Sequence, residues 1–139
     1  MAKGSSIALL LEHRGASVLL AADAFAPVLA SALMALKQHR GAALPLQLDA
    51  FKLSHHGSQG NSTAGLFECV QVRHYVASTS GVIFGHPDET AIARTILLRG
   101  RNQTLWFNHG SERNRRWVRC RCRASIGSQR AILQNTTPA

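Results

Sequence analysis

The stretch Lys52-Leu53-Ser54-His55-His56-Gly57-Ser58 takes the chain from the end of an apolar run into paired histidines, a glycine and a serine. Polar residues occupy two comparable places: Asp23 closes the apolar run Val18 to Ala22, and His86 follows the run Tyr75 to Ser80 across a short loop. Each lies at or just beyond the carboxyl end of a predicted strand and before a predicted helix. In open α/β sheets ligands bind at that edge. We therefore expect one edge of a sheet to present Asp23, His55, His56 and His86.

Upstream of this stretch the sequence predicts a hairpin and a helix. Residues 7–12 and 17–22 are short apolar runs joined by a turn that contains Gly15. Both runs are apolar at successive positions, so we expect both faces of both strands to be covered. An amphipathic helix follows, because its apolar residues have helical spacing. They are Phe25, Val28, Leu29, Ala32, Leu33 and Leu36.

Downstream, strands continue to alternate with helices. We predict strands over 48–54, 74–80 and 103–108. We also predict a short helix carrying Leu66, Phe67 and Val70, and a helix whose first residue is Pro87. Residues 117–123 alternate apolar side chains with arginines, which predicts an edge strand, and 127–139 is expected to be a loose tail. Alternating strands and helices predict an α/β fold.

Length and composition restrict the class of protein. A chain of 139 residues with 45% hydrophobic residues predicts one folded domain. No apolar run approaches the roughly 20 residues that span a bilayer, and residues 1–5 do not resemble a signal peptide, so a cytoplasmic location without membrane contact is expected. Cys69, Cys120 and Cys122 are an odd number without zinc or redox spacing, and we expect them to be structural or incidental.

Charge is concentrated in the last third of the chain. The formal net charge is +9, and ten of the sixteen Lys and Arg residues lie between Arg94 and Arg130, where Glu112 is the only acid. Such a segment favours polyanions. One hypothesis is therefore a noncatalytic basic α/β module that binds nucleic acid or a protein partner, and the alternative is a solvated basic tail.

The polar residues at the edge have chemical and structural interpretations. Imidazole and carboxylate are ligands for zinc and manganese, and a metal-bound water can act as a hydroxide nucleophile. Asp23 and His86 each precede a predicted helix, so each could instead be a helix cap. His55 and His56 would point to opposite sides if the strand continued through them. Ser58 either binds phosphate or holds its own loop.

The ordered motifs resemble the metallo-β-lactamase fold hydrolases, most closely the hydrolase domain of DNA-uptake competence proteins. The resemblance covers roughly residues 4–109. It rests on four stretches, which are Gly4-Ser5-Ser6-Ile7-Ala8-Leu9-Leu10-Leu11, Leu19-Leu20-Ala21-Ala22-Asp23, Lys52-Leu53-Ser54-His55-His56-Gly57-Ser58 and Gly85-His86-Pro87. It implies that Asp23 is a bridging carboxylate and that His55, with His56 as the alternate, is a metal ligand. It implies further that His86 lies near the metal or the substrate. The family residue before the aspartate is usually glycine, whereas here it is Ala22.

The largest departure from the family is an absent motif. The His-x-His-x-Asp-His signature has no counterpart in this chain. The family fold is an αββα sandwich of two halves, so the resemblance implies a C-terminal half over residues 1–111, followed by a basic edge strand and tail over 112–139. The implied function is metal-dependent hydrolysis of phosphodiesters or related esters with Zn or Mn. Activity would require a separate N-terminal half. Either that half or a further copy of this chain would cover the apolar sheet face that the missing half leaves open.

Overall fold

A computed structural model describes residues 6–41, 45–98, 103–119 and 131–133 of the chain. These residues form an α/β fold, as the alternation of patterns predicts. The strands are β1 (Leu9–His13), β2 (Ala16–Leu20), β3 (Leu46–Lys52), β4 (Val70–Ala77), β5 (Thr104–Phe107) and β6 (Ala131–Leu133). The helices are α1 (Ala26–Arg40), α2 (Ala64–Glu68), α3 (Glu89–Leu98) and α4 (Glu112–Arg119), and two short 3₁₀ turns occupy Ser54–Gly57 and Gln59–Asn61.

The six strands form one mixed sheet in the order of the chain, β1-β2-β3-β4-β5-β6. β1 and β2 pair antiparallel, which confirms the predicted hairpin, and each later strand pairs parallel to its predecessor. Because β2 to β5 all run in one direction, their carboxyl ends share an edge of the sheet. Ala22, Leu53 and Ser78 therefore leave the sheet on the same side.

One face of the sheet holds the core. A row of paired positions crosses five strands and consists of Leu10, Leu19, Phe51, Tyr75 and Leu105. The last four side chains are at most 2% exposed, and they cluster with buried residues of α1, α2 and α3 that include Leu29, Phe67 and Ile92. The Tyr75 ring packs on both Phe51 and Phe67, with ring centroids 5.9 and 5.7 Å apart.

The other face is exposed in the part of the sheet that the described residues form. Its corresponding row, Leu9, Leu20, Lys52, Val76 and Trp106, lies one residue along each strand from the buried row. Every member is at least partly exposed, and Leu9 and Leu11 are about half exposed, at 49% and 51%. The prediction that both faces of the hairpin are covered is therefore wrong. The hairpin strands are apolar at successive positions because one of their faces packs on the core and the other face is apolar and exposed.

The segment around α1 follows the sequence pattern in part: Phe25 and Val28, which belong to the predicted apolar stripe, are 39% and 64% exposed, and Ala32 is exposed as well. Leu29 and Leu33 are buried, Pro27 lies in the first turn, and Gly41 ends the helix in the left-handed conformation at φ 59°. Phe25 occupies the N-cap position. The interpretation of Asp23 as the cap of this helix is therefore wrong.

Several boundaries differ from the prediction. Val70 begins β4 instead of ending α2, and Ser78 to Ser80 lie beyond that strand. α3 begins at Glu89, so Pro87 is not its first residue and His86 does not cap it. The predicted edge strand over 117–123 is wrong for its first three residues, which belong to α4, while 120–123 lie outside the described residues. Within the predicted loose tail, Ala131–Leu133 form β6.

Ser111 caps the N-terminus of helix α4. The Ser111 hydroxyl accepts a hydrogen bond from the Asn114 amide at 3.3 Å, and the Arg115 amide donates to the Ser111 carbonyl at 3.0 Å. This is an N-cap arrangement, and Glu112 in the first turn complements the helix dipole. Trp117 packs against the core cluster, which favours helix over the strand predicted from local alternation.

Cys69 is buried at the end of α2, and its thiol donates to the Gly65 carbonyl at 3.2 Å. Burial, followed by the nearby negative charge of Glu68, raises the pKa of this thiol. Because only the thiolate reacts with iodoacetamide, we expect Cys69 to be alkylated much more slowly in the native chain than in the urea-unfolded chain at about pH 8. Peptide mass spectrometry resolves this site. Equal rates in the two states would contradict the burial of the thiol.

Within the described ranges, no helix combines the length and the apolarity needed to cross a bilayer.

Candidate functional site

Two segments that are distant in the sequence are joined by hydrogen bonds at the carboxyl edge of the sheet. The His55 amide donates to the Ala22 carbonyl at 2.7 Å, so the residue before Asp23 touches the histidine stretch directly. Ala24 receives two further bonds, from the Ser54 hydroxyl at 2.6 Å and from Asn61 Nδ2 at 2.7 Å. Ser54 and Asn61 are buried, so these bonds are shielded from water. The edge therefore holds the Asp23 turn against the histidine stretch.

The third segment interlocks with the histidine stretch through Gly57 and Pro87. A Cβ placed on Gly57 would lie 2.8 Å from the Pro87 Cβ, and Gly57 has φ +84°. The Asp88 amide donates to the Gly57 carbonyl at 2.9 Å. The glycine of His-His-Gly-Ser and the proline of Gly-His-Pro are thus two sides of one contact. This close approach explains why a glycine occupies position 57 opposite the proline at position 87.

Three imidazoles meet at this interlock. The rings of His55 and His86 lie edge to face with centroids 5.3 Å apart, and those of His55 and His56 are 6.4 Å apart. The strand does not continue through the pair, because β3 ends at Lys52 and both histidines have positive φ, 44° and 56°. A turn therefore determines where the two rings point, and strand alternation does not apply.

Two of the rings have fixed hydrogen-bond partners. His56 Nδ1 lies 2.7 Å from the Ser78 carbonyl, just beyond the end of β4. His86 Nδ1 lies 3.1 Å from Asp88 Oδ1, and the other Asp88 oxygen, Oδ2, accepts from the Gln59 amide at 2.8 Å. The His86 and Asp88 side chains are 14% and 27% exposed. Asp88 thus connects the Gly-His-Pro segment to the histidine stretch.

Asp23 and Ser58 have looser surroundings. Asp23 is exposed; its amide donates to the Ser6 hydroxyl at 2.9 Å, and its carbonyl accepts from Asn61 Nδ2 at 3.4 Å. The backbone of Ser58 closes the turn, since its amide donates to the His55 carbonyl at 3.0 Å and its carbonyl accepts from the Asn61 amide at 3.1 Å. Ser58 thus supports its own loop through its backbone, and its role in binding phosphate stays a prediction.

The four candidate ligands do not amount to a metal centre. Among the described residues, no group of three or more His, Cys, Asp or Glu side chains is arranged to hold a metal ion. Zinc and manganese sites in proteins generally need at least three protein ligands. A metal centre at this edge would therefore need donors beyond these four residues.

An apolar loop stands beside His86. Val82, Ile83 and Phe84 are 84%, 81% and 74% exposed, in a turn closed by the Gly85 amide, which donates to the Gly81 carbonyl at 3.0 Å. The Phe84 ring centroid lies 6.4 Å from that of His86. The site therefore has an apolar border on one side.

The residues that assemble the site are not indicated by the sequence pattern. Asp88 and Asn61 are not among the candidates that the sequence pattern indicates, and Ser54 appears only as part of the histidine stretch. Asp88 follows His86 by two residues, a spacing at which side chains in a turn can meet, and this was the available signal. Ser54 and Asn61 act across 30 and 37 residues, which no local pattern indicates.

Comparison with protein-family models, curated proteins and solved structures returned no match to this chain.

Proposed function

We propose that this chain is the C-terminal half of a hydrolase with the metallo-β-lactamase fold. The substrate class is phosphodiesters or related esters, and the chain needs a separate N-terminal half for activity. The observation that carries the proposal is the interlock of three motifs at one sheet edge. Asp23, His55 and His86 come from three different strand ends, and backbone bonds and a glycine–proline contact bring their segments together.

The open sheet face supports the need for a second half. Its row of Leu9, Leu20, Val76 and Trp106 is apolar apart from Lys52. A sheet in a two-layer domain normally buries such a face against another layer. A second sheet would cover the face and could bring donor side chains to the same carboxyl edge.

The chain's own residues have limited but definable tasks in this proposal. His55, His56 and His86 supply imidazole nitrogens that can accept a proton or donate an electron pair, and Asp23 supplies a carboxylate. The exposed apolar turn at Val82 to Phe84 borders one side of the edge. Zn²⁺ or Mn²⁺ would supply a Lewis acid in the completed protein, held partly by the partner's donors.

The experiment begins with the DNA upstream of this coding sequence. We expect an in-frame or adjacent segment that encodes a His-x-His-x-Asp-His cluster. Its product, co-expressed with this chain, should co-purify with it and hydrolyse bis-p-nitrophenyl phosphate in Mn²⁺ or Zn²⁺. Hydrolysis should be lost in Asp23→Ala. A co-purified complex that binds metal and yet hydrolyses no phosphodiester or carboxylic ester would argue against the proposal.

The open face gives a prediction that needs no partner. Replacing both Leu9 and Leu11 by threonine should reduce binding of the dye ANS, because it removes exposed apolar surface and retains good strand residues. The free energy of unfolding should change by less than about 1 kcal/mol.

Leu10 is the matched control, since it lies between them and packs on the core. Leu10→Thr should cost about 2 kcal/mol and should not reduce dye binding. Urea titration and ANS fluorescence measure both effects. The account of the two faces would be wrong if the double variant proved as destabilising as Leu10→Thr.

A second candidate function is a noncatalytic basic module that binds nucleic acid. It is favoured by α4, where Arg113, Arg115 and Arg116 are exposed, although Arg116 is already paired with Glu89. Gel-shift titration at increasing salt discriminates this function, because phosphate contacts make log affinity fall with log salt. Binding that is independent of salt would exclude phosphate contacts.

A further inference from the structure

We infer that Asp88 is a positioning residue that fixes the tautomer of His86. The inference rests on three hydrogen bonds that meet at this one aspartate. Its Oδ1 lies 3.1 Å from His86 Nδ1, its Oδ2 accepts from the Gln59 amide at 2.8 Å, and its own amide donates to the Gly57 carbonyl at 2.9 Å. Both carboxylate oxygens and the backbone are thus engaged at once.

The chemistry of the acceptor determines which ring nitrogen carries the proton. A carboxylate oxygen accepts hydrogen bonds, so a neutral His86 bonded to Asp88 must carry its hydrogen on Nδ1. Its Nε2 then presents a lone pair. An imidazole oriented in this way by a carboxylate is the arrangement found behind metal-ligating and proton-accepting histidines.

His56 provides an independent instance of the same arrangement. Its Nδ1 lies 2.7 Å from the Ser78 carbonyl, and a carbonyl oxygen can only accept. The neutral His56 ring therefore also carries its hydrogen on Nδ1 and presents Nε2. Two neighbouring segments thus each present an imidazole lone pair, one set by a side chain and the other by the backbone.

Asp88 also fixes the position of the ring relative to the histidine stretch. Because one carboxylate holds both the His86 ring and the Gln59 amide, a shift of either segment would break a bond to the other. The 14% exposure of the His86 side chain leaves little room for the ring to turn. Asp88 therefore determines both which ring nitrogen of His86 carries the lone pair and the direction in which that lone pair points.

The test is the tautomer itself, read from ¹⁵N–¹H correlation spectra of the full chain at about pH 8.5, where histidine is ordinarily neutral. His86→Asn and His56→Asn identify the two sets of signals. We expect the Nδ1–H pattern for both rings in the unsubstituted chain. In Asp88→Ala we expect His86 to change to a pattern dominated by Nε2–H, while His56 is unchanged. The Gln59 amide should exchange faster with solvent.

Glu89→Gln is the matched control, since it removes a carboxylate one residue along that contacts Arg116 instead, and it should leave both rings unchanged. An Nε2–H pattern for His86 in the unsubstituted chain would overturn the inference, and this measurement stands even if Asp88→Ala fails to fold. A His86 pattern unchanged in Asp88→Ala would overturn it as well. Equal changes at His56 and His86 would show a general loss of loop structure and would also count against it.

The use of the lone pair rests on the proposed function, but the tautomer does not. If the spectra show the expected pattern and the completed protein hydrolyses no ester, the proposed function fails and the positioning role stands. If hydrolysis is found with the opposite tautomer, the positioning role fails alone.

Discussion

Gly57→Ala is expected to lower the free energy of unfolding by about 3 kcal/mol. Two effects combine. The backbone has φ +84°, a conformation that is unfavourable for a residue with a side chain, and the new Cβ would lie 2.8 Å from the Pro87 Cβ. Because Pro87 is itself buried, neither side can yield without moving the histidine stretch or the start of α3. For a chain of this size the melting temperature should fall by about 10 °C.

Gly60→Ala is the matched control for this prediction. Gly60 lies three residues further along the same loop, is exposed, and has nothing within 4 Å of an added Cβ. Its substitution should change stability by less than about 0.5 kcal/mol. Thermal melts of both variants decide the matter. Equal stability of the two variants would show that the glycine–proline contact is not the constraint described here.

Asn61→Asp is expected to cost about 3 kcal/mol at pH 7, although the two side chains have nearly the same shape. Asn61 is 6% exposed, and its Nδ2 donates to the Ala24 carbonyl at 2.7 Å and reaches Ser54 Oγ at 3.4 Å. An ionised carboxylate has no hydrogen to donate, so it would lie against the Ala24 carbonyl oxygen without a hydrogen bond. The bond that holds the segment around Asp23 to the histidine stretch would be lost.

The loss in Asn61→Asp should depend on pH, and its sign follows from burial. Burial raises the pKa of the new carboxyl above its unfolded value of about 3.9. The protonated form can still donate to the Ala24 carbonyl. Stability is therefore retained below the unfolded pKa and lost as the pH rises through the folded pKa. The difference from the unsubstituted chain should be small near pH 4 and large at pH 7.

Asn108→Asp makes the same substitution where it should do no harm. Asn108 is exposed, and its Oδ1 accepts from the Thr79 amide at 2.8 Å, a role that a carboxylate fills equally well. Urea titrations at pH 4 and pH 7 compare the two variants. A loss in Asn61→Asp that does not vary with pH would show that the effect does not come from a buried charge.

The fold could be predicted from the sequence where local periodicity coincides with tertiary environment. The stripe on α1 predicts the buried Leu29 and Leu33, because one face of that helix meets the core, and Gly41 ends the helix where a left-handed residue is needed. Phe25 and Val28 belong to the same stripe and are exposed, whereas the buried Ala26 is not part of it. The apolar runs of the hairpin predict its strands but not their environment. A run of successive apolar residues does not distinguish a strand packed on both faces from a strand with one exposed apolar face, which is the case at Leu9 and Leu11.

The site could be predicted only in part for a related reason. The order of strand ends predicts that the segments of Asp23, His55 and His86 share an edge, because parallel strands in one sheet end together. The contacts that assemble the edge are long-range. Nothing in the sequence near Asn61 predicts its bond to the Ala24 carbonyl. Pro87, in turn, stands where a proline is typical of the first turn of a helix, but in the structure it contacts Gly57.

The central claim, that this chain carries an incomplete hydrolytic site, is tested most directly by the chain alone. Metal content by mass spectrometry after dialysis against Zn²⁺ or Mn²⁺ should show no tightly bound stoichiometric ion, and bis-p-nitrophenyl phosphate should not be hydrolysed above the buffer rate. One or two ions per chain, with turnover that disappears in Asp23→Ala, would contradict the account and would make this chain a complete enzyme.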